Sequence, residues 1–298
     1  MVDVSVAVGL SMPHTQTVHL CGEASSLTFG LIERLLRTEV HIVLEDDLHE
    51  RVCGAYATDL EYRQAPVSCS SDVALASGHR VFLLGLGPLA GSPKARSRFD
   101  VDGSELILVT PQGVDVHAAM DRVDAHVTVH DMLPMRTDSI WMPTALTSWA
   151  DGMSVGNFAP PEGDEHHWWV SEIDVADALV RLLLSAQPFP KSCKMSGRRS
   201  WPVKQTHEEF QLLYQRTMAG KTGVFGVQEL TAAPTPHIEL QSLMVTDATP
   251  MSISVNRQDR PDLSPVHDAL HAADGDGWRP LVPVRTALMH CLVGLLGA

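Results

Sequence analysis

The stretch Val18–Asp47, "VHLCGEASSLTFGLIERLLRTEVHIVLEDD", brings Gly22, the hydroxyls of Ser25 and Thr28, and the acids Glu45 and Asp46 into one short unit. A glycine directly after a strand permits a tight turn. The helix that follows offers backbone N–H groups and the positive end of its dipole to an anion. An acid at the end of the second strand suits a ribose 2′-hydroxyl and disfavours a 2′-phosphate. The chemistry on offer is dinucleotide binding, with NAD preferred to NADP. The competing reading of "EDD" is a solvated turn, where such acids are common.

Other reactive residue types form thinner patterns. His166–His167 and the pair His267 and His271, at i and i+4, present two imidazoles each, but no third ligand accompanies them, so no metal site is expected. Neither G-x-S-x-G nor GxxxxGK[ST] occurs. Cys21, Cys53, Cys69, Cys193 and Cys291 are scattered and odd in number, which implies reduced thiols in a cytoplasmic compartment. Trp168–Trp169 suit either a cleft wall or the core.

The elements that must position these groups follow from periodicity. Val2, Val4, Val6 and Val8 alternate and predict a short N-terminal strand. Val18–Cys21 and His41–Leu44 predict strands, and Leu27, Leu31, Ile32, Leu35 and Leu36 recur at helical spacing between them. "RVFLLG" (Arg80–Gly85), "ELILVT" (Glu105–Thr110) and "AHVTVH" (Ala125–His130) read as strands buried on both faces. Strands alternating with helices predict an α/β fold, a Rossmann-like doubly wound parallel sheet. Residues 151–167 read as a loop, Ser171–Ser185 as a helix capped by Ser171, Thr206–Met218 as a second helix, and Val284–Leu296 as a closing helix. Thr231–Asp276 shows no long helical period and reads as strand and loop. The expected organisation is a nucleotide-binding body over 1–150 and a smaller mixed C-terminal lobe over 151–298, built as one integrated unit.

The 298 residues carry a formal charge of −14. An acidic surface repels nucleic acid and anionic membranes, though a positive pocket inside it stays possible. No apolar run approaches the roughly 20 residues of a membrane span, and the first residues lack the basic start of a signal peptide. Neither nucleic acid nor membrane is expected as a partner.

The chain resembles the extended short-chain dehydrogenase/reductase family, the NAD-dependent nucleotide-sugar epimerases and dehydratases. The resemblance lies in the N-terminal strand–turn–helix, in "WWVSEIDVADALVRLLLS" (Trp168–Ser185), in "CKMSGRRSWPVKQTHEEFQLL" (Cys193–Leu213), and in "DLSPVHDALHAADGDGWRPLVPVRTAL" (Asp262–Leu288), which has the family's closing order of a short helix, Gly-Trp-x-Pro and a final helix. "GAYATDLEYRQAP" and "LLGLGPLAG" are locally similar to lactate/malate dehydrogenases, a match that ends near Met120.

The family resemblance implies a G-x-x-G-x-x-G turn, and its positions here are Gly22, Ser25 and Thr28. Two readings follow: the hydroxyls bind phosphate, or the turn is a scaffold that no longer holds a dinucleotide. The family also implies a Tyr-x-x-x-Lys pair. Four residues after Tyr56, Tyr62 and Tyr214 stand Leu60, Pro66 and Met218. Thr110 could match the family's strand-end serine/threonine, but between Thr110 and Ala125 there is room only for a short helix. His117 and His130, with Asp121 and His126 nearby, are candidate replacement bases. Arg198 and Arg199 stand where the family's C-terminal lobe can meet a nucleotide diphosphate, against the reading of a solvated surface. The expectation is a divergent epimerase/dehydratase-like protein in which NAD binding is weak or absent and the family chemistry is weak or lost. It would act as a binding, assembly or regulatory protein with a nucleotide, a nucleotide sugar, a protein partner or a second copy. The alternative is an active NAD-dependent enzyme using non-standard residues.

Overall fold

The structure, a computed structural model, describes residues 16–89, 97–136, 140–224 and 260–297. The strand expected at Val2–Val8 lies outside the described residues. A seven-stranded sheet forms from β1 (Thr17–Gly22), β2 (His41–Leu44), β3 (Val67–Cys69), β4 (Arg80–Leu84), β5 (Glu105–Pro111), β6 (Ala125–Val129) and, late in the chain, Ser192–Met195. Its order is β3-β2-β1-β4-β5-β6 followed by Ser192–Met195, and every pairing is parallel. The chain builds outward from β1 to β3 and then returns to β4. The strand order therefore reverses between β1 and β4, which opens a crevice at the carboxyl ends of the strands.

Helices form where the apolar spacing predicts them. Helix α1 (Ser26–Leu35) packs Leu27, Leu31, Ile32 and Leu35 into the main core. Next come α2 (Asp46–Ala55), α3 (Ala57–Tyr62), α4 (His117–Met120), the two-residue strand β7 (Met132–Leu133) and α5 (Thr144–Ser154). The strands β8 (His166–His167) and β9 (Val170–Ser171) then lead into α6 (Glu172–Leu184). With Ser192–Met195 numbered β10, the chain ends with β11 (Trp201–Pro202), α7 (Val203–Thr222), α8 (Ser264–Asp274) and α9 (Val284–Gly297). Ser171 caps α6 as expected, accepting from the Ile173 N–H at 3.2 Å. A first core spans residues from Val18 to Trp278, and a second joins α5, α7 and α9 through Leu146, Phe210 and Leu288.

Two expectations are corrected. Residues 151–154 belong to α5, because Leu146, Ala150 and Met153 share one buried face. Ser264–Asp274 is helical, the short helix that the resemblance implies and not the irregular stretch that periodicity implies, with Pro265 in its first turn and Gly275 closing it at φ 90°; residues 231–259 of that stretch lie outside the described residues. The run at β6 is buried on both faces apart from the half-buried Thr128, with Ala125, Val127 and Val129 on one side and His126 on the other; in β10 Ser192 and Lys194 face solvent. The four-residue α4 stands in the crossover between β5 and β6, where the doubly wound pattern has a long helix.

His19 on β1 lies against His79, Nε2 to Nδ1 at 2.9 Å, with His41 close by. Burial and the neighbouring imidazoles push His19 down to about 4, and His41 and His79 are also lowered, by burial first. The unfolded chain then binds more protons than the folded one between pH 6.5 and 4, so stability is full above 6.5 and falls as the pH drops through that window. For His19 the loss is on the order of 1–2 kcal/mol after solvent screening. Thermal melts from pH 7 to 4 should show it, and His19→Gln should flatten the slope. An unchanged slope would contradict the assignment.

Candidate functional site

The crevice at the β1/β4 switch holds an open cleft of about 950 Å³, lined by Gly22, Glu23 and Ala24 from the first turn, Glu45 to Leu48 and Arg51 around α2, Ser70 and Ser71 after β3, and Gly87, Pro88 and Arg98 after β4. Gly22 sits at φ 139°, and a Cβ there would stand 2.5 Å from the Leu84 carbonyl oxygen. The glycine is thus needed for β1 to lie against β4. Its N–H donates to Glu45 Oε2 at 2.9 Å, and Glu45 Oε1 pairs with Arg98 Nη2 at 2.5 Å. Glu45 is the residue before α2 and Asp46 its first residue, so both stand just past the second strand, at the cleft. Asp46 Oδ1 accepts from the Cys69 thiol at 2.8 Å.

Ser25 and Thr28 face inward. Ser25 caps α1, its Oγ accepting from the Thr28 N–H and from Trp141 Nε1, each at 3.2 Å. Thr28 Oγ1 donates to the Glu23 carbonyl at 2.7 Å and lies 2.7 Å from Ser25 Oγ. With the threonine proton on Glu23, the serine proton must go to Thr28. Each hydroxyl's proton is then committed inside the protein. Both side chains are buried, and neither lines the cleft.

A buried carboxylate packs against the side of the first turns of α1, at Ser26 and Gly30. Glu172, at the start of α6, is 1% exposed and accepts from Ser26 Oγ and from the Met135 N–H at 2.8 Å. Ser26 Oγ in turn accepts from the Arg136 N–H at 2.9 Å. Burial raises the Glu172 carboxyl above its usual range despite these donors. Gly30 makes room for it, since a Cβ there would lie 2.7 Å from Glu172 Oε1. Gly30 is therefore the close-packing glycine, two residues beyond Thr28. In the sequence Glu172 stands out only as an acid in the first turn of α6. The pairing with Ser26 spans 146 residues and left no local signal.

The remaining candidates do not converge. Thr110 Oγ1 is 2.9 Å from His126 Nε2, both buried. His117 is exposed at the start of α4. His130 follows β6, its Nε2 is buried without a hydrogen-bond partner, and burial and then Lys194 hold its imidazole below the histidine range. Arg198 and Arg199 are exposed in the turn after β10, with Arg199 5.3 Å over the Trp201 ring. Among the described residues no group of three His, Cys, Asp or Glu is placed to hold a metal, and no helix is long and apolar enough to cross a membrane.

Sequence reasoning missed one constellation. Asp131 takes φ 47°, the one non-glycine residue at positive φ among those described. Its Oδ1 lies 3.0 Å from His167 Nδ1, and its Oδ2 accepts from the Trp168 N–H at 2.8 Å. Asp131 also lines a cavity of about 350 Å³ at the carboxyl ends of β5 and β6, with Gln112, Met132 and Trp141. The ligand search on His166–His167 could not see this, because Asp131 meets His167 only through the fold.

No protein-family model and no curated protein matches the chain. Solved structures do. The Bordetella bronchiseptica enzyme WbmF in complex with NAD+ and UDP is similar with a TM-score of 0.51 at 12% identity, over 95% of this chain and 93% of that one. The Bacillus cereus UDP-glucuronic acid 4-epimerase in complex with UDP-glucuronic acid and NAD gives 0.52 at 10%, over 95% and 99%. The terminal R domain from the myxalamid PKS-NRPS pathway gives 0.51 at 12%, over 100% and 95%. The chain shares the fold of these three structures.

Proposed function

We propose that this chain is a nucleotide-binding protein on the epimerase/dehydratase fold that holds NAD weakly, lacks the family's proton-transfer chemistry, and acts as a binding, assembly or regulatory protein. One observation carries the reading: the N-terminal end of α1 is closed from within. Ser25 and Thr28 satisfy each other, Ser25 takes up the Thr28 N–H and Trp141 Nε1, and the Glu172 carboxyl fills the space beside Ser26 and Gly30. The open half of the crevice keeps Glu45 and Asp46, which fit a ribose. The nucleotide class is supported by the similar structures, which are complexes with NAD and UDP or UDP-glucuronic acid. The nucleotide released when purified protein is denatured tests this: NAD should be far below one per chain, and near-full occupancy would contradict it.

A second reading is an active NAD-dependent enzyme on a nucleotide sugar. The Asp131–His167 pair favours it, because a carboxylate on Nδ1 leaves Nε2 as a base. Turnover that disappears in Asp131→Asn would select it.

A further inference from the structure

The cleft at the β1/β4 switch contains a matched pair of opposite charges. Arg98 Nη2 and Glu45 Oε1 meet at 2.5 Å, and both residues line the opening. The pair is accessible, with side-chain exposures of 46% and 29%. Such exposed pairs contribute little on average, so separating this one costs little. Glu45 does not depend on Arg98 for its position, because Oε2 is held by the Gly22 N–H and its backbone starts α2. Arg98 is steadied separately, its guanidinium lying 4.5 Å over the Phe99 ring. Arg51 lines the same cleft and adds a second cation to an otherwise acidic rim.

Each half of the pair has a better partner in a nucleotide. A carboxylate oxygen suits the hydroxyls of a ribose. A guanidinium fork suits a phosphate, with two parallel charge-assisted bonds. We propose that the Arg98–Glu45 ion pair is the ligand-exchange element of this cleft: Glu45 Oε1 passes from Arg98 to the ribose, and Arg98 passes to the phosphate of the same nucleotide. This inference rests on the nucleotide-binding reading above and adds the ligand class. The cleft takes a nucleoside phosphate, and its phosphate is held by an arginine after β4 instead of by the α1 N-terminus. A dinucleotide gains nothing over its adenosine diphosphate half, because its second half must cross the closed end of α1.

Calorimetric titrations with adenosine and ADP test the proposal on the wild-type protein, Arg98→Ala and Glu45→Gln. Wild type should bind ADP at least tenfold tighter than adenosine. Arg98→Ala should lose that difference and keep or improve adenosine binding, since Glu45 is freed. Glu45→Gln should keep the difference and weaken adenosine. The opposite signatures of the two variants separate ligand exchange from general damage to the cleft. ADP binding no tighter than adenosine, or a difference that survives in Arg98→Ala, overturns the exchange and leaves the nucleotide reading standing. Binding of neither probe to wild type overturns both.

Discussion

Supplied with UDP-glucuronic acid and NAD, the purified protein should produce no epimer, dehydrated sugar or NADH above the uncatalysed background. In the family that the sequence resembles, a phenolate takes a hydroxyl proton, and general acid–base help of this kind is worth roughly 10²–10⁴ in rate. None of the three tyrosines can supply it. Tyr56 donates to Glu33 Oε1 at 2.8 Å, and burial and that carboxylate push it up to about 12, away from ionisation. Tyr62 is 80% exposed beyond the cleft lining, and Tyr214 is buried in the second core. Where the resemblance places the Tyr and Lys, α4 has four residues, "HAAM". Product formation by chromatography, or NADH absorbance, reads the outcome. Turnover well above background would contradict the account, and its loss in Asp131→Asn would place the base on His167.

Gly22→Ala should lower stability by about 2–4 kcal/mol, because it combines backbone strain with a clash against backbone. The added Cβ would stand 2.5 Å from the Leu84 carbonyl oxygen, at φ 139°. Relieving it means parting β1 from β4, the two strands that form the switch point, so the cleft would be lost with the stability. Gly54→Ala is the control. Gly54 lies in α2 with nothing within 4 Å of a built Cβ, so alanine should add roughly 0.5–1 kcal/mol through helix propensity. Chemical denaturation of the two variants should move the midpoints in opposite directions. A near-neutral Gly22→Ala would contradict the close approach described for β1.

The strands that position the cleft were legible because burial on both faces leaves a dense apolar run, as in "RVFLL" at β4, where every residue is buried. The same rule held at β6, where Ala125, His126, Val127 and Val129 are buried and Thr128 is half-buried. The empty glycine positions were also legible, but their consequence was not. That Ser25 and Thr28 turn inward depends on Trp141, 116 residues away from Ser25 in the chain. Glu172 and Arg98 look locally like ordinary surface charges. Their roles come from Ser26 and Glu45, which only the fold brings to them.

The α1 N-terminus, where Ser25, Thr28 and Trp141 satisfy one another, is expected to receive no dinucleotide pyrophosphate. A calorimetric titration of the full chain with NAD tests it most directly. The account predicts a dissociation constant weaker than about 0.1 mM, a binding free energy smaller than roughly 5.5 kcal/mol. A micromolar or tighter constant for NAD would contradict it.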